Sequence, residues 1–309
     1  MWGNTSTLLR GLGALLAVVT LGALATTAAA AHPARPRSPT FVVSIARASL
    51  GSDALYRTDT RRWVGRAAGV DPAYSPAARA VAFDHPGPGF SNHDVYTVGL
   101  DGRSARRVGA NAGWFPTWSP DGKRIATACR FAAITTATAV CITDVAHRSV
   151  RQLVGFRAPR GGDVWVDGLA WSPDGSTLAV AKGKRPRRGS VYALWPDKLL
   201  LLDLRTGRMS AIATLSFSNL AWSADSSRIA FWRRCDIVVR TLATGREDVV
   251  HVRRCDDIAE GPIFLSSDGS TVYYAVRTAI EAAPLGGGRR QRVVRLPHVL
   301  DGGAALVSG

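Results

Sequence analysis

Short apolar runs, each a few residues long and each broken by a tight polar segment, fill the chain from residue 41 onward. Five of them share one grammar: "AYSPAARAVAF" from Ala73, "TWSPDGKRIAT" from Thr117, "AWSPDGSTLAV" from Ala170, "AWSADSSRIAF" from Ala221 and "FLSSDGSTVYY" from Phe264. The apolar residues before the serine predict a short strand. The S-P-D-G segment predicts a tight turn, because proline presets φ, aspartate bonds its own backbone and glycine accepts positive φ. The "RIAT" or "TLAV" that follows predicts a return strand. Each phrase is therefore expected to be a hairpin.

A second pattern lies between these phrases: "ALYRTDTR" from Ala54, "DVYTVGLDGR" from Asp94, "VCITDVAHR" from Val140, "KLLLLDLRTGR" from Lys198, "DIVVRTLATGR" from Asp236 and "AIEAAPLGGGR" from Ala279. An apolar strand, a polar or glycine-rich turn, then basic residues and a further strand predict an outer hairpin. The serines of the first pattern fall at 75, 119, 172, 223 and 266, and such spacing suits a four-stranded propeller blade. The second pattern occurs once more often than the first. Residues 40–46, "TFVVSIA", read as a return strand without a partner, and the tail "DGGAALVSG" (301–309) supplies the missing innermost strand. The expectation is an all-β, six-bladed β-propeller of four-stranded antiparallel blades. Strands from both termini would close its ring and leave no open edge between first and last blades.

The W-S-P-D-G phrase, its return strand and the "LLDLRTG" hairpin resemble the TolB-like, WD-repeat-like propeller family over residues 41–309. Trp118–Gly122 and Trp171–Gly175 match the phrase fully. Tyr74 and Leu265 stand for tryptophan elsewhere, Ala224 and Ser267 for proline, and Ala77 with Ala78 for aspartate-glycine. The resemblance implies a non-enzymatic protein-binding or scaffold role in the cell envelope. The family's namesake has an additional N-terminal domain where this chain has a short linker, so the namesake's own partnership does not carry over. One blade cannot bury its faces alone, so Trp118, Trp171 and Trp222 are expected between neighbouring blades, and Asp121, Asp174 and Asp268 in turns.

Composition adds location and charge. Arg10 precedes the apolar run "GLGALLAVVTLGALATTAAAA", which ends in small residues before His32. Residues 1–31 are read as a secretory signal peptide, with an uncleaved membrane anchor as the alternative, and residues 32–40 as a proline-rich linker. Residues 41–309 form a single propeller domain in this reading. No cysteine follows the apolar run, which excludes a lipid anchor on a mature N-terminal cysteine. The protein is expected to be exported to the periplasm, cell surface or medium. The net charge of +16 comes almost wholly from arginine, lysine occurring only at 123, 182, 184 and 198. Such a balance favours anionic polymers or lipids, while export argues against sequence-specific nucleic-acid recognition.

Four cysteines in an exported chain allow three disulfide pairings. Hairpin symmetry selects Cys129–Cys141, about a loop near residue 135, and Cys235–Cys255, about the Thr244-Gly245 turn, both structural. Neither spacing suits zinc.

Candidate chemistry is sparse. The chain has no G-x-S-x-G, no H-E-x-x-H and no phosphate-binding glycine loop, and glutamate occurs only at 247, 260 and 281. No cofactor is expected. The mouth of the central channel would collect Asp71, Trp114, Asp167, Asn219 and Glu260 at the starts of successive inner strands. Acids beside an aromatic suit a cationic group, a sugar or a peptide end, though such residues at strand starts also simply cap turns. The stretch "DHPGPGFSNHD" offers Asp84, His85, His93 and Asp94 as weak metal-ligand candidates, the only footing for a metal-dependent lactonase or esterase. Lys182, Lys184, Arg185, Arg187 and Arg188 form a basic cluster, read as a solvated insertion loop able to bind a polyanion or anionic lipid. The resulting expectation is a monomeric, non-enzymatic binder of an envelope or extracellular protein partner. Its alternatives are the metal-dependent hydrolase and a carbohydrate- or polyanion-binding surface protein.

Overall fold

Short alternating runs cannot supply the stripe that a packed helix needs, and no helix occurs among the described residues. The computed structural model describes residues 39–47, 52–86, 93–129, 139–156, 163–185, 196–216, 219–252, 261–276, 278–297 and 300–308. Blade one begins with β1 (Thr40–Arg47), β2 (Ser52–Arg57) and β3 (Arg62–Ala68). Blade two is β4 (Val70–Ser75), β5 (Ala80–Pro86), β6 (His93–Gly99) and β7 (Arg106–Gly109). Blade three is β8 (Trp114–Trp118), β9 (Arg124–Cys129), β10 (Ala139–Asp144) and β11 (Ser149–Gly155). Blade four is β12 (Asp163–Trp171), β13 (Thr177–Arg185), β14 (Pro196–Asp203) and β15 (Met209–Ala213). Blade five is β16 (Leu220–Trp222), β17 (Arg228–Arg233), β18 (Asp236–Thr241) and β19 (Glu247–His251). Blade six is β20 (Ile263–Leu265), β21 (Thr271–Val276), β22 (Ala279–Pro284) and β23 (Gln291–Arg295). The last strand, β24 (Leu300–Ser308), returns to blade one and pairs antiparallel with β1, setting Thr40 opposite Ser308 and Val43 opposite Ala304.

The result is a six-bladed β-propeller of four-stranded antiparallel blades, with β24, β4, β8, β12, β16 and β20 innermost. The unpaired first strand and the tail do join, as their sequences require. Every blade runs outward from the axis in the same sense. The serine–aspartate turns and the outer-hairpin turns therefore share one end of the ring, the turn end. The starts of the inner strands share the other, the mouth end.

Apolar side chains fill the spaces between blades rather than one central core. Ile45, Phe41 and Ile280 close blade six onto blade one, and Val42, Leu55 and Phe83 pack blade one on blade two. Ala128, Val140, Trp171 and Leu178 join blades three and four. Trp118 Nε1 donates to Ala73 O at 3.1 Å and Trp222 Nε1 to Ala170 O at 2.9 Å, each reaching the inner strand of the preceding blade. Trp171 packs in the same space but donates to Gly175 O in its own turn at 3.3 Å. Its backbone N–H supplies the link, donating to Thr117 Oγ1 at 3.1 Å.

The turns have the predicted chemistry. In blade four Ser172 Oγ donates to Asp174 Oδ1 at 2.6 Å, and Thr177 N donates back to Ser172 Oγ at 2.9 Å. Gly175 closes the turn at φ +77°. The same serine–aspartate bond recurs at Ser119–Asp121, Ser223–Asp225 and Ser266–Asp268. It lowers the pKa values of these carboxyls, bringing those of Asp225 and Asp268 down to about 2. In blade two, where alanines replace aspartate-glycine, Ala78 N donates to Ser75 Oγ instead.

Cys129, at the end of β9, is bonded to Cys141 across the hairpin with Cα atoms 5.8 Å apart. Cys235 is also disulfide-bonded, and Cys255, its expected partner, lies outside the described residues.

Candidate functional site

The mouth is shaped by irregularities in the inner strands. Pairing slips between Val70 and Ala73 in β4, between Trp114 and Thr117 in β8, and between Val166 and Gly168 in β12. Asp71 and Phe115 sit in these slips with φ of 49° and 55°, the left-handed region that ordinary side chains avoid. An extra residue in one strand bends it and re-aims a side chain, so bulges at the rim of a ring commonly present functional groups.

Four members of the expected mouth set lie at or just before the starts of inner strands. Asp71 lies in the slip of β4, Trp114 opens β8, Asp167 is the bulged residue of β12 and Asn219 immediately precedes β16. All four are half-buried. Trp165 Nε1 donates to Asp167 Oδ1 at 3.3 Å, which orients that carboxylate. Glu260 lies outside the described residues. Phe115 and Trp165 join the rim without having been singled out from sequence. A tryptophan two residues before the aspartate was the available signal for Trp165. Nothing in the local sequence announces the conformation of Phe115.

The four weak metal-ligand candidates divide into two pairs. Strand alternation sends Asp84 and His93 to one face of the β5–β6 hairpin and sets His85 opposite Asp94 on the other. Asp94 is engaged elsewhere, accepting from Arg107 Nη1 at 3.0 Å and from Asn111 N at 2.8 Å. No cluster of three or more metal-ligating side chains occurs among the described residues. The register of the hairpin thus divides the four weak candidates between two faces.

Asp84 and His93 instead form a buried pair at the interface with blade three. Asp84 Oδ2 lies 2.6 Å from His93 Nδ1, and the imidazole packs against Trp114 with ring centres 5.0 Å apart. Asp84 is fully buried and its Oδ1 has no hydrogen-bond partner. Burial pushes the Asp84 carboxyl well up and the His93 imidazole down. Both directions favour a carboxylic acid donating to a neutral imidazole, so the pair carries no net charge into the interface.

The basic cluster is also placed differently from expectation. Lys182, Lys184 and Arg185 are not loop residues: β13 continues through them, pairing Val164 with Lys184 and Asp163 with Arg185. Lys182 is half-buried, with its ammonium 5.8 Å from the centre of the Phe156 ring. A partner strand of matching length overrides the solvated character of the charges. Arg187 and Arg188 lie outside the described residues.

No family model matches the chain, and no curated protein matches it. Similarity is found among solved structures. The fold is similar to that of TolB from Acinetobacter baumannii, at a TM-score of 0.66 and 16% identity over 89% of this chain and 68% of that one. A chain of a nidogen/laminin complex is similar at a TM-score of 0.57 and 12% identity, over 87% of this chain and 97% of that one. An oligogalacturonate lyase in complex with manganese is similar at 0.51 and 13% identity, over 79% of this chain and 70% of that one. These likenesses establish the propeller fold, TolB proteins among its neighbours, and at such identities they establish no more than the fold.

Proposed function

We propose that the chain is an exported, non-enzymatic propeller that binds a protein partner at its mouth end and acts as a scaffold in the cell envelope. In this reading residues 1–31 direct export, residues 32–40 link, and the propeller follows. The observation that carries the proposal is the rim itself: Asp71, Trp114, Asp167 and Asn219, half-buried at or just before the starts of four successive inner strands. Mixed acidic, amide and aromatic groups at the mouth end suit a peptide segment bearing a cationic or amide group. TolB and the nidogen/laminin complex support the reading as fold neighbours, the second being by its description a complex of proteins.

The test is capture from an envelope extract of the source cells at low and high salt. Wild-type protein is compared with the double variant Asp167→Ala, Asn219→Ala. A discrete protein held by wild type at high salt and lost by the variant is the expected result. Equal capture by both, or manganese-dependent turnover of ester, lactone or oligogalacturonate substrates, would overturn the proposal.

A further inference from the structure

The outer-hairpin pattern ends in arginine in every blade, and the propeller turns this sequence regularity into a ring. Arg61, Arg103, Arg148, Arg208, Arg246 and Arg289 follow the outer turns of blades one to six in order, and all are exposed. The connectivity puts all these turns at the turn end, so the guanidinium groups stand round one rim of the disc, opposite the mouth. Arg246 pairs with Asp248 at 2.9 Å while remaining 76% exposed. The other five make no ion pair among the described residues. Exposed Arg79 and Lys123, in the inner turns of blades two and three, add cations inside the ring.

Carboxylates share this end but are held close to the backbone. Asp101 Oδ1 accepts from Arg103 N at 2.9 Å, Asp144 Oδ1 from His147 N at 2.9 Å, and Asp203 Oδ1 from Thr206 N at 2.7 Å. The inner-turn aspartates are folded onto serine hydroxyls, as described above. Short aspartates turned back on their own loops and long arginines reaching outward create a layered charge, positive on the outside. A flat anionic body meets the guanidinium groups first.

We propose that the turn end docks on an anionic lipid surface through this arginine ring. A compact ligand cannot touch arginines carried on all six blades at once, whereas a plane of phosphate headgroups can. Arginine also forms bidentate hydrogen bonds with phosphate. Val249, at 43% exposure, is the one large hydrophobic side chain exposed among the described residues. The contact is therefore electrostatic, without insertion, and fades as added salt shortens the screening length to about 10 Å or less. Docked this way, the protein would present its mouth away from the bilayer.

The test is co-sedimentation of the purified propeller with phosphatidylcholine vesicles containing about one-third phosphatidylglycerol, as a function of salt. Wild-type protein should bind at low salt, release at high salt and ignore pure phosphatidylcholine. The variant Arg103→Gln, Arg148→Gln, Arg208→Gln should partition on the order of a hundredfold less at low salt. A control variant at the mouth end, Lys198→Gln, Arg234→Gln, Arg295→Gln, removes the same charge and should bind nearly as wild type. Equal losses in both variants would reduce the effect to net charge and overturn the ring. No vesicle binding by wild type at low salt would overturn it too, as would binding to a soluble polyanion such as heparin but not to vesicles. The ring variant leaves the mouth end unaltered, so its outcome is independent of the partner-capture experiment.

Discussion

Replacing Trp232 should show how much one blade interface holds. This residue occupies, in blade five, the position held by Ala128, Ala181 and Ala275 in blades three, four and six, and by Ser44 and Asp84 in blades one and two. Trp232 is fully buried, lies edge-on to Tyr274 at 6.3 Å, and donates from Nε1 to Gly261 O of blade six at 3.0 Å. Ser44 Oγ makes the corresponding bond to Gly69 O in blade two at 3.0 Å, so the position works as a clasp onto the next blade. A tryptophan buries about 200 Å², worth about 5 kcal/mol at roughly 25 cal/mol per Å². Trp232→Ala should therefore cost about 5 kcal/mol, close to the upper part of the range for such truncations. Trp232→Phe retains most of the ring contact but leaves Gly261 O without its donor, and should cost about 1–3 kcal/mol. Equilibrium urea unfolding followed by near-ultraviolet circular dichroism reads both, with an unchanged slope expected if unfolding stays cooperative. A cost below about 2 kcal/mol for Trp232→Ala would mean that the interface closes without the ring. Equal costs for the two variants would mean that the hydrogen bond, not the packing, is the clasp.

Two further perturbations address stability. Cys129→Ala with Cys141→Ala opens a crosslink spanning 12 residues and should lower unfolding free energy by about 3 kcal/mol, read by the same denaturation; a change within about 0.5 kcal/mol would refute this. Asp84→Asn tests the buried pair through pH. Because burial raises the folded-state pKa of Asp84, its contribution is fully present below the ordinary carboxylate range and is lost as pH rises through the folded value. The stability of Asp84→Asn relative to wild type should therefore increase with pH, and parallel pH–stability curves would refute the assignment. His93, whose pKa burial lowers, contributes in the opposite sense in both proteins, losing stability as pH falls below its ordinary range.

The blades were legible because their turn chemistry is local: serine, aspartate and glycine need only one another to shape a hairpin. Ring closure was legible because residues 40–46 read as a return strand with no inner strand before them to pair with, leaving one edge for the tail. Features that depend on pairing between distant segments were not. The slips that give Asp71 and Phe115 positive φ arise from fitting an inner strand to its partner, and no local propensity marks them. Strand ends were misjudged where charge outweighed pattern, so Lys182–Arg185 read as loop although β12 is long enough to hold them in the sheet. The separation of the weak metal-ligand candidates was hidden for a related reason. Four suitable side chains are close in sequence, but the β5–β6 register assigns adjacent residues to opposite faces.

The pairing of β1 with β24 has a consequence in time. During synthesis β1 is made before the other strands of the propeller, yet its free edge and the face that carries Phe41, Val43 and Ile45 wait for blade six and residues 300–308. Until residues 300–308 emerge, blade one keeps a bare ladder, the kind of edge that recruits other strands. Five blades can assemble in the order in which they are made, but the first is finished last. The propeller thereby couples its completion to the emergence of residues 300–308.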